Sequence, residues 1–375
     1  MKIAVNTQHL IKNQLEGIGW FAHETLSRLV KNHPEHEFLF IFDRPWDESF
    51  IYAPNVTPVH TVLPSRHPFL WFWHYEIGIP RILKKHQPDL FFSPDGWMSL
   101  RTSVPTVNTI HDINFIHRPK DSPFWVRKYY KFFFPRFAQK ARRIVTVSEF
   151  SKNDMLTTLN IPAEKIDVAY NGCNTIYTPL ENEVKIEIRN KFTSDCPFFI
   201  YVGSRNPRKN ISGLFDAFEQ FKATDNKQMK LLFVGDPMWS ASYLRAKLDS
   251  MKYKNDVLFT GRLSSEVLQM VLGSAEALLL VSFYEGFGIP IIEAMYSDIP
   301  VICSDVTSLP EVAGDAALFV NPNSIDEIAN AMKQIALYPE LQKSLVMKGR
   351  IQCKKFNWDN TALAVWNSIE KALHS

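Results

Sequence analysis

Short apolar runs recur along the whole chain: KIAVNT, EFLFIF, DLFFSP, TVNTIH, RIVTVS and DVAY, then FFIYVG, KLLFVG, VLFTG, ALLLVS, PVICS and ALFV. Most are apolar at nearly every position instead of alternating, the pattern of parallel strands covered on both faces. Stretches with helical periodicity separate many of them, so the chain predicts an α/β fold built twice. The segment YNGCNTIYTP carries Asn-Gly and Pro punctuation and predicts the division between domains at 1–175 and 176–357. Leu363, Trp366, Ile369 and Leu373 recur at helical spacing and predict a last helix over 358–375. Open parallel sheets bind ligands at the carboxyl ends of their strands, so two Rossmann-like domains whose sheets face each other would enclose a central cleft.

A length of 375 residues suits two domains. The balance of 42 Lys and Arg against 39 Asp and Glu, +3 in all, argues against nucleic acid as a partner. Cys173, Cys196, Cys303 and Cys353 form no CxxC and have no nearby His to complete a zinc site, so they read as reduced thiols of a cytosolic protein. The opening MKIAVNTQHL lacks the organisation of a signal peptide. The apolar stretch PFLWFWHYEIGIP is interrupted by Pro, His and Glu and is shorter than the roughly 18 residues of a spanning helix. A cytoplasmic protein is expected.

The most informative segment is SFYEGFGIPIIEAM, which follows the run ALLLV and opens a helix near Pro290. Gly286 and Gly288 permit a tight turn, and the N–H groups of Gly286, Phe287 and Gly288 can then converge on an anion such as phosphate. Glu293, expected in the first helical turn, can accept both hydroxyls of a vicinal diol such as ribose, while Glu285 lies on the loop nearer a sugar. An ordinary glycine turn with a solvated Glu285 is the other reading of these residues. In YVGSRNPRKN, Arg205, Arg208 and Lys209 follow a strand end, where fixed cations can neutralise a diphosphate leaving group without metal; a solvated basic loop is the alternative. Asp-x-Asp pairs suited to a divalent ion are missing at the predicted strand ends, so neither metal nor cofactor is expected.

The string EGFGIPIIEAM resembles the E-x7-E signature of the retaining GT-B glycosyltransferases of the large group-4 family. GIGWFAHETL, HDINFIHRP, ARRIVTVSEFSKNDM, YVGSRNPRKN, FTGRLSSEVL and VTSLPEVAGDAALFVNP match further family segments in order, across nearly the whole chain. The resemblance implies a GT-B architecture with the donor on the C-terminal domain, the acceptor on the N-terminal one, and the last helix packed back on the N-terminal domain. It implies Glu285 at the donor sugar, Glu293 at the ribose, Arg205 and Lys209 at the diphosphate, and Arg208 pointing away. Gly17 and Gly19 would lie in a loop closing over donor diphosphate and acceptor. His111 would sit beside the sugar, with Asp112 orienting the acceptor; taken alone, His111 also reads as a satisfied structural group. Gly172 would be a hinge. Retaining transfer of this kind needs no protein nucleophile, because the departing phosphate takes the acceptor's proton. GDP-mannose is the first donor reading, from the likeness of YVGSRNPRKN to O-antigen and exopolysaccharide mannosyltransferases, with UDP-sugars next.

Residues 118–143 hold nine Lys and Arg against one acid, with eight aromatics interleaved. Helix packing accounts for part of this, since Phe133 and Phe137 are four apart. With RHPFLWFWHY at 66–75, the excess charge suggests a face resting on the anionic inner membrane, and a saccharide or lipid-linked acceptor. Three other classes remain: a sugar-nucleotide epimerase, a glycosidase using paired carboxylates, and a non-catalytic subunit of the same fold.

Overall fold

The computed structural model describes residues 1–61, 65, 68–224, 228–235 and 242–374. Arg66, His67 and Ser375, which belong to the segments discussed above, lie outside the described residues. The chain divides into two compact units, Met1–Gly172 with Asn357–Ser375, and Cys173–Phe356.

Unit one holds a seven-stranded sheet of β1 (Lys2–Asn6), β2 (Glu37–Phe42), β3 (Val56–His60), β4 (Leu90–Ser93), β5 (Thr106–Thr109), β6 (Arg143–Thr146) and β7 (Ile166–Val168), in the order β3-β2-β1-β4-β5-β6-β7. Every pairing is parallel. The nearly uninterrupted apolar runs follow from this, because β1, β4 and β5 are buried on both faces. β3 had no counterpart among the predicted strands. It carries Pro58 opposite Phe40 and sits at the sheet edge, where a residue without an N–H is tolerated.

Unit two holds a six-stranded sheet of β8 (Phe198–Val202), β9 (Lys230–Val234), β10 (Val257–Gly261), β11 (Ala277–Leu280), β12 (Val301–Ser304) and β13 (Ala317–Val320), ordered β10-β9-β8-β11-β12-β13 and again parallel throughout. One face of this sheet builds a core around Phe199, Tyr201, Phe215, Phe218 and Phe233.

The helix Trp358–His374 belongs to unit one although it ends the chain. It packs on the helix Gly17–Asn32: Asp359 accepts from Arg28 at 2.6 Å, and Trp366 stacks on His33 with ring centroids 3.5 Å apart. Lys371 pairs with Asp167 at 2.8 Å. Gly172, where the chain leaves unit one, lies against this returning segment: a Cβ there would meet the Trp358 N at 2.4 Å. Lack of a side chain is therefore a packing requirement at Gly172. The four cysteines are buried, and none of them is in a disulfide among the described residues. Among the described residues no helix is long and apolar enough to cross a membrane.

Candidate active site

Strand order decides which loops meet. In unit two the order runs outward from β8 through β9 to β10 on one side and from β11 to β13 on the other, so the loops after β8 and β11 emerge side by side at the switch point. The loop after β8 carries Arg208 and Lys209, and the loop after β11 carries Ser282 and Glu285. Phe283 N donates to Arg208 O at 2.7 Å and ties the two loops together.

Glu285 is 4% exposed and its carboxylate is held by three side chains. Arg208 donates at 2.6 Å, Lys209 at 2.5 Å and Ser282 at 2.7 Å. Burial alone would raise this carboxyl, but the adjacent cations outweigh it and bring it to about 2, so Glu285 is ionised at any physiological pH. The solvated alternative for Glu285 is excluded. Arg208 does not point away either: its guanidinium reaches both Glu285 and the Tyr284 carbonyl, the latter at 2.7 Å. The turn at Asn206 explains this, because its side chain caps Arg208 N at 3.1 Å and aims the following cations at the neighbouring loop. Arg205 lies in the same loop, half-buried.

Gly288 precedes the helix Ile289–Tyr296 with φ +102°, and a Cβ there would come 2.7 Å from Leu309 Cδ2. Only glycine fits that turn. Ser308 Oγ donates to the carbonyls of Glu285 and Phe287, at 2.9 and 3.1 Å, which fixes the loop from behind. Phe287 is buried, its ring edge-on to Phe356 at 5.5 Å. Gly286 lies between Glu285 and Phe287 in this pinned loop. Thr307 Oγ accepts from Glu285 N at 3.2 Å while its own backbone is left-handed, φ +62°. A β-branched residue in that region is strained, and it is placed against the site's central acid.

Glu293 is not in the first helical turn, as the sequence suggested, but one turn in. The helix dipole is therefore not what places it. Its carboxyl meets the buried Tyr177 hydroxyl, and burial raises it to about 7, the Tyr177 bond offsetting part of the rise. Tyr177, Ser282 and Thr307 were not among the sequence candidates. Tyr177 alone carried a signal, an aromatic in the punctuated segment just after the division between units.

Unit one repeats the arrangement with different chemistry. Its switch point lies between β1 and β4, and there the Asn6 amide donates to both oxygens of Asp95, at 3.0 and 2.9 Å. Gln8 donates to Asp95 at 2.6 Å, and the Ser93 hydroxyl donates to Asp95 at 2.8 Å. Asn6 Oδ1 is buried without a hydrogen-bond partner. None of these residues was a sequence candidate, although all lie at or just after the ends of apolar strands. His111, after β5, contacts the Pro94 carbonyl through Nε2 at 2.8 Å and sits edge-on to Phe21 at 4.9 Å. Since a carbonyl only accepts, Nε2 carries the proton, and burial lowers the imidazole's pKa, favouring its neutral form. Asp112 Oδ1 accepts from Asn114 N at 2.9 Å, a local turn just ahead of the short helix Asn114–His117. Gly17 and Gly19 are not in a loop: both lie in the first turn of the helix Gly17–Asn32, Gly17 exposed and Gly19 within 3.0 Å of the His9 carbonyl at its Cβ position.

Among the described residues, His33, Glu35 and His36 are the group whose ligand atoms lie close enough to share a metal ion. They sit at the turn before β2, and stacking of both imidazoles on Trp366 accounts for their arrangement. They are in neither switch point.

Each unit is a parallel-sheet α/β domain, and solved structures of the GT-B class match the whole chain. A sucrose-phosphate synthase from Thermosynechococcus elongatus superposes with a TM-score of 0.81 at 18% identity, covering 99% of this chain and 98% of that one. HepE from Anabaena, solved with UDP and glucose, gives 0.74 at 17%, with 99% of each chain covered. The model for Glycosyltransferase Family 4 matches residues 15–176 and that for Glycosyl transferases group 1 matches residues 184–352. The O-antigen chain mannosyltransferase B of Escherichia coli is 29% identical over 99% of this chain and 100% of its own length. The O-antigen chain mannosyltransferase RfbU of Salmonella typhimurium is 27% identical over 85% and 84%. The chain belongs to the group-4 GT-B glycosyltransferases.

Proposed function

We propose that the chain moves a sugar from a nucleotide-sugar donor on unit two to a saccharide or lipid-linked saccharide acceptor on unit one, with retention of configuration and without metal, in the assembly of a cell-surface polysaccharide. GDP-mannose is the first donor to test, on the strength of the two O-antigen mannosyltransferases above. UDP-sugars come next, since HepE holds UDP. Work on an acceptor of this kind is done at the cytoplasmic face of the inner membrane.

The observation that carries the reading is the cluster at the switch point of unit two. Arg208 and Lys209 bring two positive charges against one Glu285 carboxylate, and Arg205 adds a third from the same loop. Cations fixed in this way balance the charge that develops on a departing diphosphate, which typically contributes several kcal/mol to transition-state stabilisation. The N–H groups of Gly286, Phe287 and Gly288 supplement them. Glu293 receives the ribose hydroxyls once ionised, and Glu285, locked by three donors, presents fixed negative charge to the sugar. His111 and Asp112, with the Asn6, Gln8 and Asp95 cluster, position the acceptor. The departing phosphate takes the acceptor's proton.

One observation favours a second reading. Glu285 lies near 2 and Glu293 near 7, a divergence of the kind that glycosidases use for nucleophile and acid. Against it, the Glu285 oxygens already accept from Arg208, Lys209 and Ser282, which leaves a poor nucleophile.

The test is a thermal-shift titration with GDP, UDP, ADP and their sugar conjugates, each with and without EDTA. A ligand at 100 times its Kd adds about 2.7 kcal/mol to the folded state, a rise of several degrees. One nucleotide stabilising regardless of EDTA supports the proposal. Stabilisation by none, with release of nitrophenol from nitrophenyl glycosides, would replace it with hydrolysis.

A further inference from the structure

The aromatic and basic residues of unit one are sorted by the fold into an inside and an outside. On the helix Phe124–Lys140, Phe134, Phe137 and Ala138 are buried in the unit's core. Phe124, Trp125 and Phe132 face out, at 52%, 62% and 51% exposure, among Lys128, Lys131, Arg136 and Lys140. This helix carries five cations and no acid. The neighbouring helix Pro68–Trp73 packs on it and adds Trp73, 50% exposed, and Phe72. Cations lie over the outward rings: Arg136 over Phe132 at 3.7 Å, Arg127 and Lys128 over Phe124 at 5.5 and 5.6 Å, and Arg101 over Phe72 at 5.9 Å.

We propose that this face, the outer side of Phe124–Lys140 with Phe72 and Trp73, docks unit one on an anionic lipid bilayer. Large aromatic side chains grouped on a surface are unfavourable in water and favourable at the headgroup boundary, where their rings replace water and neighbouring cations meet lipid phosphates. A soluble polyanion would use the cations but leave five exposed rings without a role, so a bilayer is the occupant that accounts for both. The inference deepens the proposed function, since it rests on a lipid-linked acceptor as the reason for the face.

Cosedimentation of the full chain with phosphatidylcholine vesicles, alone or with a minority of phosphatidylglycerol, tests it. Binding is expected to the anionic vesicles and to weaken with salt. Lys128→Gln with Lys131→Gln is expected to lower affinity about five-fold per charge, roughly twenty-five-fold together. Phe124→Ser with Trp125→Ser is expected to lower it at both low and high salt. Unchanged melting temperatures would show that these variants fold. Equal binding to both vesicles, or to neither, overturns the proposal. Salt-sensitive binding that the aromatic variant leaves untouched, and that heparin reproduces, overturns it in favour of a polyanion site. No nucleotide is present in this experiment, so its outcome and that of the nucleotide titration are separable.

Discussion

Glu293→Gln separates what the site needs from what the fold needs. The Glu293 carboxyl ionises near 4.5 in an unfolded chain and about 7 in the folded one, because burial disfavours its charged form. Between those two values folding takes up a proton, so stability falls as pH rises through the window, and the penalty is complete above about 7. At ~1.36 kcal/mol per pH unit, that gap sets a ceiling of roughly 3 kcal/mol, and a partly accessible side chain will realise less. Glutamine has the same length and still accepts from the Tyr177 hydroxyl, but carries no charge to bury. The variant should therefore match the wild type at about pH 4.5 and exceed it by about 1–3 kcal/mol at about pH 8, read from urea denaturation followed at the transition of unit two. It should also bind the donor nucleotide more weakly, since an amide oxygen replaces a carboxylate at the ribose. In the wild type, nucleotide affinity should rise as pH passes through 7. Equal stability of wild type and Glu293→Gln at alkaline pH would refute the claim that this carboxyl is buried at a cost.

Two further outcomes follow from the same loops. Lys209→Ala and Arg208→Ala each leave Glu285 with a partner fewer in a buried place, and each should destabilise the fold by about 2–4 kcal/mol by chemical denaturation. Lys209→Ala should also lower turnover more than donor affinity, and a purely structural role would move stability alone. Gly288→Ala forces a Cβ onto Leu309 at positive φ; a loss of about 1–3 kcal/mol is expected, with weakened nucleotide binding in the thermal-shift assay. Wild-type behaviour there would mean that the turn is not constrained as described.

Much of the architecture was written locally. Apolar runs buried on both faces are legible because parallel strands need no alternation, and the turn at 286–288 because glycine and proline act on their own backbone. Residue types placed the chemistry on the loops after β8 and β11. β3 escaped because it is an edge strand with a proline and a less apolar pattern. Gly17 and Gly19 were misplaced because glycine lowers helical propensity without forbidding a helix, and the packing of Gly17–Asn32 outweighs it.

Partnership was settled by the tertiary structure alone. Arg208 and Glu285 are 77 residues apart, and Asn6 and Asp95 are 89 apart. Nothing near either residue says that β8 lies beside β11, or β1 beside β4. That is a property of strand order, and it turned Arg208 from a bystander into a ligand of Glu285. In the same way, helical period marked Phe124–Lys140 as a helix, but only its packing on the rest of unit one separated Phe134 and Phe137 from Phe124, Trp125 and Phe132. Local conformational preference acts through neighbours in the chain and can be read there; burial and charge pairing act through neighbours in space, which the chain acquires only by folding.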